Sequence, residues 1–210
     1  MSKNALIWGA DGGIGRAIAE RLIQDRWKVI VAGRHVDRLE GLGGTVIDFD
    51  ASKPFSFQSA IVALSHEVDE IQLWVYAVGD ITSIPVSQMA LQDWQRMMDA
   101  NLTGAFLATQ VSWPVLAKDA HLFYLGAISE RLRLPGLSAY VAAKAGLESF
   151  AEVVRKESRR RVTVVRPAAV DTPLWKKAPF SLPPRHLEPT EVAERILQAY
   201  QASTEGILDL

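Results

Sequence analysis

Short apolar runs alternate with longer segments of helical period along the whole chain. Ala5–Trp8, Trp27–Ala32, Thr45–Phe49, Leu73–Val78, His121–Leu125, Val162–Val165 and Gly206–Leu210 read as strands, each short and apolar. Between them Ile14–Arg26, Phe55–His66, Leu91–Leu116, Ser138–Glu157 and Glu191–Ala202 read as helices. In the first of these, Ile14, Ile18, Leu22 and Ile23 fall on one apolar stripe. Leu73–Val78 is apolar at every position, as a strand covered on both faces must be. Such alternation predicts an α/β doubly wound parallel sheet, a Rossmann-type three-layer αβα sandwich. One stretch breaks the rhythm. Pro173–Pro189 holds five prolines and no periodicity, and because a helix capped by Thr190 follows it, it reads as a loop on the domain.

The 210 residues suit a single domain, 1–210, at about 150 residues per domain. Hydrophobic residues at 49% and charged residues at 22% exclude a disordered chain. A net charge of −1 gives no global attraction to nucleic acid or to an anionic membrane, so neither is expected as a partner. With no cysteine there are no disulfides, thiolate nucleophiles or cysteine metal sites, which fits a reducing cytosol. The longest apolar run, Leu73 to Val78, is far short of the roughly 18 residues of a membrane span. Four apolar residues before Gly9 are too few for a signal peptide. A soluble, cytoplasmic protein is the expectation.

After the first strand comes Gly9-Ala10-Asp11-Gly12-Gly13-Ile14-Gly15, where a helix begins. Glycines so placed allow a tight turn, close backbone approach to an anion and close helix–strand packing, while the helix-start N–H groups can bind a pyrophosphate. A tight strand–helix connection could want these glycines for its own sake. Their place at the first such junction of an alternating chain favours dinucleotide binding. The second strand ends Val31-Ala32-Gly33-Arg34. An acidic residue near this point would bind the adenosine ribose 2′-OH; Gly33 leaves that space empty and Arg34 offers a guanidinium to a 2′-phosphate. NADP is therefore favoured over NAD, unless Arg34 merely pairs with Asp37 or Glu40.

Tyr140-Val141-Ala142-Ala143-Lys144 lies on the helix expected from Ser138. Four residues bring the phenol and the ammonium onto one face, and the cation should lower a phenol pKa that starts near about 10. A tyrosine so tuned could exchange a proton with a carbonyl or alcohol oxygen while hydride moves to or from nicotinamide. A surface pair at this spacing is common by chance. Here it is joined by the glycine turn, by Asp50 after the third strand, by Asn101 and by Pro167-Ala168-Ala169-Val170-Asp171-Thr172. In order and spacing, from Ala5 to about Leu210, the chain resembles the short-chain dehydrogenase/reductase family.

That resemblance implies roles for individual residues. Gly9, Gly13, Ile14 and Gly15 would surround the pyrophosphate, Asp50 would contact the adenine amino group or simply form a turn, and Gly79 would lie against the adenosine ribose. Tyr140 would be the general acid/base, and Lys144 would hold the nicotinamide ribose and depress the tyrosine pKa. Asn101 would support a water relay or merely kink its helix. Thr172 would bind the nicotinamide carboxamide or merely start a turn. Relatives form dimers or tetramers through the helices at Leu91–Leu116 and Ser138–Glu157, which suggests a homodimer or homotetramer.

The departures are informative. The serine that the resemblance places before the tyrosine is Ala127, and the nearest hydroxyl, Ser129, would need a shorter loop. An enzyme lacking that serine is slowed, since one oxyanion donor is worth about 2.7–4 kcal/mol. Trp8 stands where a threonine is usual, Tyr76-Ala77-Val78-Gly79 replaces an asparagine-rich motif, and Ala168 replaces a glycine. Trp8 and Tyr76 are expected to be one coordinated repacking.

Other chemistries fit less well. Gly136-Leu137-Ser138-Ala139-Tyr140 lacks the final glycine of a hydrolase elbow, so Ser138 reads as an N-cap. His35, His66, His121 and His186 show no metal-ligand spacing, and no metal is expected. The basic run Arg155–Arg161 suits a helix C-terminus. The sequence thus points to an NADP(H)-dependent oxidoreductase interconverting a carbonyl and an alcohol. Its substrate loop, 173–189, presents Leu174, Trp175, Phe180 and Leu182 to an apolar substrate. The rival reading is a dinucleotide-binding redox sensor or interaction protein with little catalysis.

Overall fold

A computed structural model describes residues 3–178 and 180–210; Pro179 of the expected substrate loop and the first two residues of the chain lie outside the described residues. Seven parallel strands form one sheet in the order β3-β2-β1-β4-β5-β6-β7. They are β1 (Asn4–Trp8), β2 (Lys28–Gly33), β3 (Thr45–Asp48), β4 (Ile71–Tyr76), β5 (Leu116–Leu125), β6 (Arg161–Arg166) and β7 (Gly206–Asp209). The helices are α1 (Gly13–Gln24), α2 (Val36–Leu39), α3 (Pro54–Ser65), α4 (Leu91–Met98), α5 (Gly104–Ser112), α6 (Ser138–Ser158) and α7 (Pro189–Gln201). This is the doubly wound sandwich that the alternation predicts.

The sheet has a core on each face. Leu6, Trp8, Trp74, Tyr76, Leu122 and Tyr124 point toward α3, α5 and α6, while Ala5, Ile7, Leu73, Val75 and Phe123 point toward α1 and α7. Successive strand residues serve opposite layers, which is why the buried stretches 5–8 of β1 and 73–76 of β4 are apolar throughout. The reversal of strand order falls between β1 and β4, where a crevice opens at the carboxyl ends of the strands.

Several expected boundaries move. The single helix over Leu91–Leu116 is broken: α4 ends at Met98, a π-helical turn runs from Asp99 to Thr103, and α5 and a 3-10 turn (Trp113–Val115) follow. Leu116 belongs to β5, which starts five residues before His121 and is irregular where Ile71 and Leu73 of β4 pair with it. Thr190 does not cap α7. Glu188 is the N-cap, in a reciprocal capping box with Glu191, and Pro189 takes the first helical position. Nor does Ser138 cap α6; Leu137 is the N-cap, and the Ser138 hydroxyl is buried without a partner.

Trp8 and Tyr76, where one coordinated repacking was expected, lie on neighbouring strands in the same core layer. Their strands are in register at these two residues. The Trp8 ring packs edge-on against Phe49 with centroids 4.7 Å apart, and Phe49 meets Phe57 at 4.6 Å. The tryptophan fills the layer beneath α3 at the expense of its own indole N–H, which has no partner among the described residues. On the same face Trp74 donates to the Ser112 hydroxyl at 2.9 Å, and the Tyr124 and Thr109 hydroxyls are 2.7 Å apart.

The edge strand β7 is held through Arg166. Its guanidinium reaches both carboxylate oxygens of Asp209, at 2.7 and 2.9 Å, and also Glu130 at 2.9 Å and Glu148 at 3.3 Å. One buried cation thus joins β6, β7, α6 and the turn after β5. Arg166→Met keeps the stem and removes these bonds; an expected loss of about 2 kcal/mol would lower Tm by about 4–8 °C, as differential scanning calorimetry would read.

Candidate active site

The turn after β1 is built for close approach. Gly9 has φ +84°, and a Cβ there would lie 2.7 Å from the Val78 nitrogen. On Gly15 a Cβ would lie 2.3 Å from the Gly9 carbonyl oxygen, so Gly15 serves the packing of α1 onto its own turn. On Gly13 it would meet the Thr172 methyl at 2.8 Å, which seats the start of α1 directly beneath the segment after β6. Gly12 is the N-cap and gives α1 no side-chain cap, leaving its first-turn N–H groups open to an anion.

In front of this turn runs a cleft of about 650 Å³. It gathers Gly9, Gly13, Ile14, Arg34, Asp50, Gly79 and Thr172, seven of the residues singled out in the sequence. A smaller hollow of about 260 Å³ between α6 and β7 contains none of them. A groove floored by bare backbone, with an uncapped helix start on one side and cations on the rim, fits a dinucleotide. The pyrophosphate would rest against Gly9, Gly13 and Ile14.

At the end of β2 the Arg34 side chain is exposed and pairs with neither Asp37 nor Glu40 among the described residues. His35 and Arg38 line the same rim, a contribution missed in the sequence because the four-residue helix α2 that carries Arg38 has too little pattern to be seen. Asp50 accepts from the Ser52 nitrogen (3.0 Å) and hydroxyl (2.8 Å), a turn at the end of β3 as well as a wall of the cleft. Those two bonds, with Arg34 and Lys53 nearby, hold its carboxyl below the usual range against the opposing effect of burial.

Beyond Gly79 lies α6, whose Tyr140 and Lys144 are not among the residues that line the cleft. Tyr140 and Lys144 are both buried there, with the ammonium 5.8 Å from the centre of the phenol ring. Lys144 donates to the Leu125 carbonyl at 2.8 Å. The expected lowering of the tyrosine pKa does not occur. Burial pushes Tyr140 up to about 12 and Lys144 down to about 8, because removal from water penalises the charged form of each. A Cβ on Gly79 would be 3.3 Å from Asn101 Oδ1 and 3.7 Å from Lys144 Nζ, so this glycine adjoins the amine rather than only the adenosine ribose.

Asn101 is fully buried in the π-helical turn, so the alternative that it kinks its helix is what the backbone displays. Its amide donates to the carbonyls of Asp80 (2.8 Å) and Met97 (2.9 Å), and its Oδ1 accepts from the Asp80 nitrogen at 3.4 Å. Tyr76 donates to the Ala100 carbonyl at 2.8 Å, and its hydroxyl sits where a Cβ on Gly104 would be, 2.3 Å away. The hydroxyl that β4 acquired with Tyr76 is thus spent on the π-helical turn that carries Asn101.

The loop after β6 closes over Tyr140. Leu174 and Phe180 pack with Ile81, Leu137 and Tyr140 in a small separate cluster. Trp175 meets this cluster through Phe180, on which it packs edge-on, and donates its indole N–H to the Val170 carbonyl at 2.6 Å. Within the loop the structure forms a 3-10 turn, Pro173–Lys177, where only irregular chain was expected. Lys177 bonds Asp80 at 2.7 Å, and Asp80 also takes Arg96 from α4. Asp80, Arg96 and Lys177 were missed because nothing in the sequence links positions so far apart.

Ala127 is buried where the serine was expected, and no hydrogen bond joins Ser129, in the turn Ser129–Leu132, to Tyr140 among the described residues. One histidine has carboxylates close by: Asp171, His186 and Glu188 place their polar atoms within 4.8 Å of one another across the two ends of the loop, all three exposed. His186 Nδ1 is bonded to the Pro183 carbonyl at 2.8 Å. No helix among the described residues is long and apolar enough to cross a membrane.

A seven-stranded parallel sheet with a glycine-turned crevice at its strand reversal is a Rossmann-type fold. Residues 3–180 match the family model for short chain dehydrogenases, and the chain belongs to the short-chain dehydrogenase/reductase family. It is similar to serine 3-dehydrogenase of Agrobacterium fabrum, 32% identical over 183 residues that cover 82% of this chain and 74% of that one. An uncharacterised oxidoreductase of Staphylococcus epidermidis is 26% identical over 208 residues, 94% of this chain and 90% of the relative. Among solved structures, the ligand-free aldohexose dehydrogenase of Thermoplasma acidophilum superposes with a TM-score of 0.90 at 25% identity, covering 100% of this chain and 92% of that one. The protein is an oxidoreductase of this family.

Proposed function

We propose that the chain is a single NADP(H)-binding domain, 1–210, that interconverts a carbonyl and an alcohol on a small molecule. The observation that carries this reading is Gly79, which lines the cleft of the glycine turn and where a Cβ would lie 3.3 Å from Asn101 Oδ1 and 3.7 Å from Lys144 Nζ, with Tyr140 beside that lysine on α6. The dinucleotide, when bound, supplies or accepts the hydride. Tyr140 offers its proton to the carbonyl oxygen in reduction and receives it back in oxidation. Lys144 and Thr172 would hold the nicotinamide half of the dinucleotide, and Asn101 would keep the wall beneath Lys144 in place.

Arg34, with His35 and Arg38 beside it, supports a 2′-phosphate and hence NADP. Arg34→Ala is expected to weaken NADPH binding by about tenfold or more while changing NADH binding little, measured by isothermal titration. The wall next to Tyr140 is Ile81, Leu137, Leu174 and Phe180, which supports an apolar carbonyl compound rather than the polar amino acid named for the Agrobacterium relative. The exposed side chains of Leu91, Phe106 and Val153 on α4, α5 and α6 support a homodimer or homotetramer through those helices. A cytoplasmic location completes the reading.

Ala127 and the covered Tyr140 favour one other reading, a dinucleotide-binding redox sensor with little turnover. A panel of carbonyl compounds with NADPH, run beside a titration of NADPH and NADH, separates the two. Reduction of an apolar carbonyl supports the enzyme; tight dinucleotide binding with no turnover of any compound supports the sensor.

A further inference from the structure

Gly33 ends β2 at the point where an acidic side chain would meet the adenosine ribose, yet the space beyond its α-carbon is already filled. A Cβ built on Gly33 would lie 2.5 Å from Asp11 Oδ1, 2.8 Å from Asp11 Cγ and 3.0 Å from Asp11 Cβ. The carboxylate of the glycine turn therefore stands where the side chain of an aspartate at position 33 would begin. Asp11 is half-buried, lines the cleft, and has no hydrogen-bond or ion-pair partner among the described residues. Arg34, His35 and Arg38 line the same rim, so one ribose would face an anion from the turn and cations from the end of β2.

We infer that Asp11 is a specificity-determining residue for the dinucleotide, supplying from the glycine turn the carboxylate that binds an unphosphorylated adenosine ribose. This rests on the dinucleotide reading above. A ribose 2′-OH donates a hydrogen bond to that carboxylate, whereas a 2′-phosphate brings a like charge beside it, which in a half-buried cleft is costly. Arg34 acts in the opposite sense. The two residues together set a preference for NADPH that is narrower than the guanidinium alone would give, and the protein accepts both cofactors.

The test is binding, read by isothermal titration of NADPH and NADH into wild type, Asp11→Asn and Asp11→Ser, with folding checked by circular dichroism. Either substitution is expected to raise the ratio of the NADH to the NADPH dissociation constant by about tenfold or more. In the double variant Asp11→Gly, Gly33→Asp, where the carboxylate is moved to the strand end, the ratio should return toward the wild-type value. If both dinucleotides bind and the Asp11 variants leave their ratio unchanged, the assignment of Asp11 is overturned. If wild type binds neither, the dinucleotide reading itself falls.

Discussion

Tyr140→Phe should reduce carbonyl turnover by about a thousandfold while leaving NADPH affinity close to wild type. The phenyl ring keeps the packing against Ile81, Leu137, Leu174 and Phe180, so the variant loses only the hydroxyl. Equal loss of binding and turnover would show that Tyr140 holds up the pocket wall and does no proton chemistry. The pH profile gives the same residue a second check. Burial holds the Tyr140 proton on to about 12, so the hydroxyl is loaded for reduction throughout the neutral range. Lys144 is a cation only below about 8, and its charge is lost as pH rises through that value. In the free enzyme kcat/KM for reduction should therefore be flat below about 8 and fall above it. A profile that rises through pH 8 would contradict a working ammonium at position 144.

The second large effect lies away from the chemistry. Gly104→Ala would drive a methyl group to 2.3 Å from the Tyr76 hydroxyl and 2.7 Å from the Asp99 carbonyl. Both neighbours belong to the π-helical turn or are bonded to it, so relief must come from moving Ala100 and Asn101. We expect a loss of about 2–3 kcal/mol in urea unfolding, and a turnover deficit larger than the stability loss explains, because Asn101 fixes both backbone atoms of Asp80. Tyr76→Phe in the same chain removes the closest contact and should recover part of the stability. Unchanged stability in Gly104→Ala would mean that the turn adapts freely and does not hold Asn101.

The sheet was legible because its strands carry short apolar runs that two helical layers cover, of which Leu73–Val78 is apolar throughout. The dinucleotide end of the cleft was legible because its parts are local. Gly9, Gly13 and Ile14 are neighbours in sequence, and Arg34 follows its strand directly. What could not be read is whatever depends on two distant segments meeting. The break after Met98 meets the Tyr76 hydroxyl, which bonds the Ala100 carbonyl across 24 residues of chain with no periodic trace. Asp11 above Gly33 is of the same kind. The proton affinity of Tyr140 was misjudged for a different reason: spacing on a helix reports which groups are near, whereas burial, which governs both Tyr140 and Lys144, is a property of the finished fold.

Lys177 ties the flap over Tyr140 to Asp80, and Asp80 is the residue whose backbone Asn101 grips on both sides, one step from Gly79. The loop after β6 is therefore joined, through Asp80 and Asn101, to the same wall that adjoins the amine of Lys144.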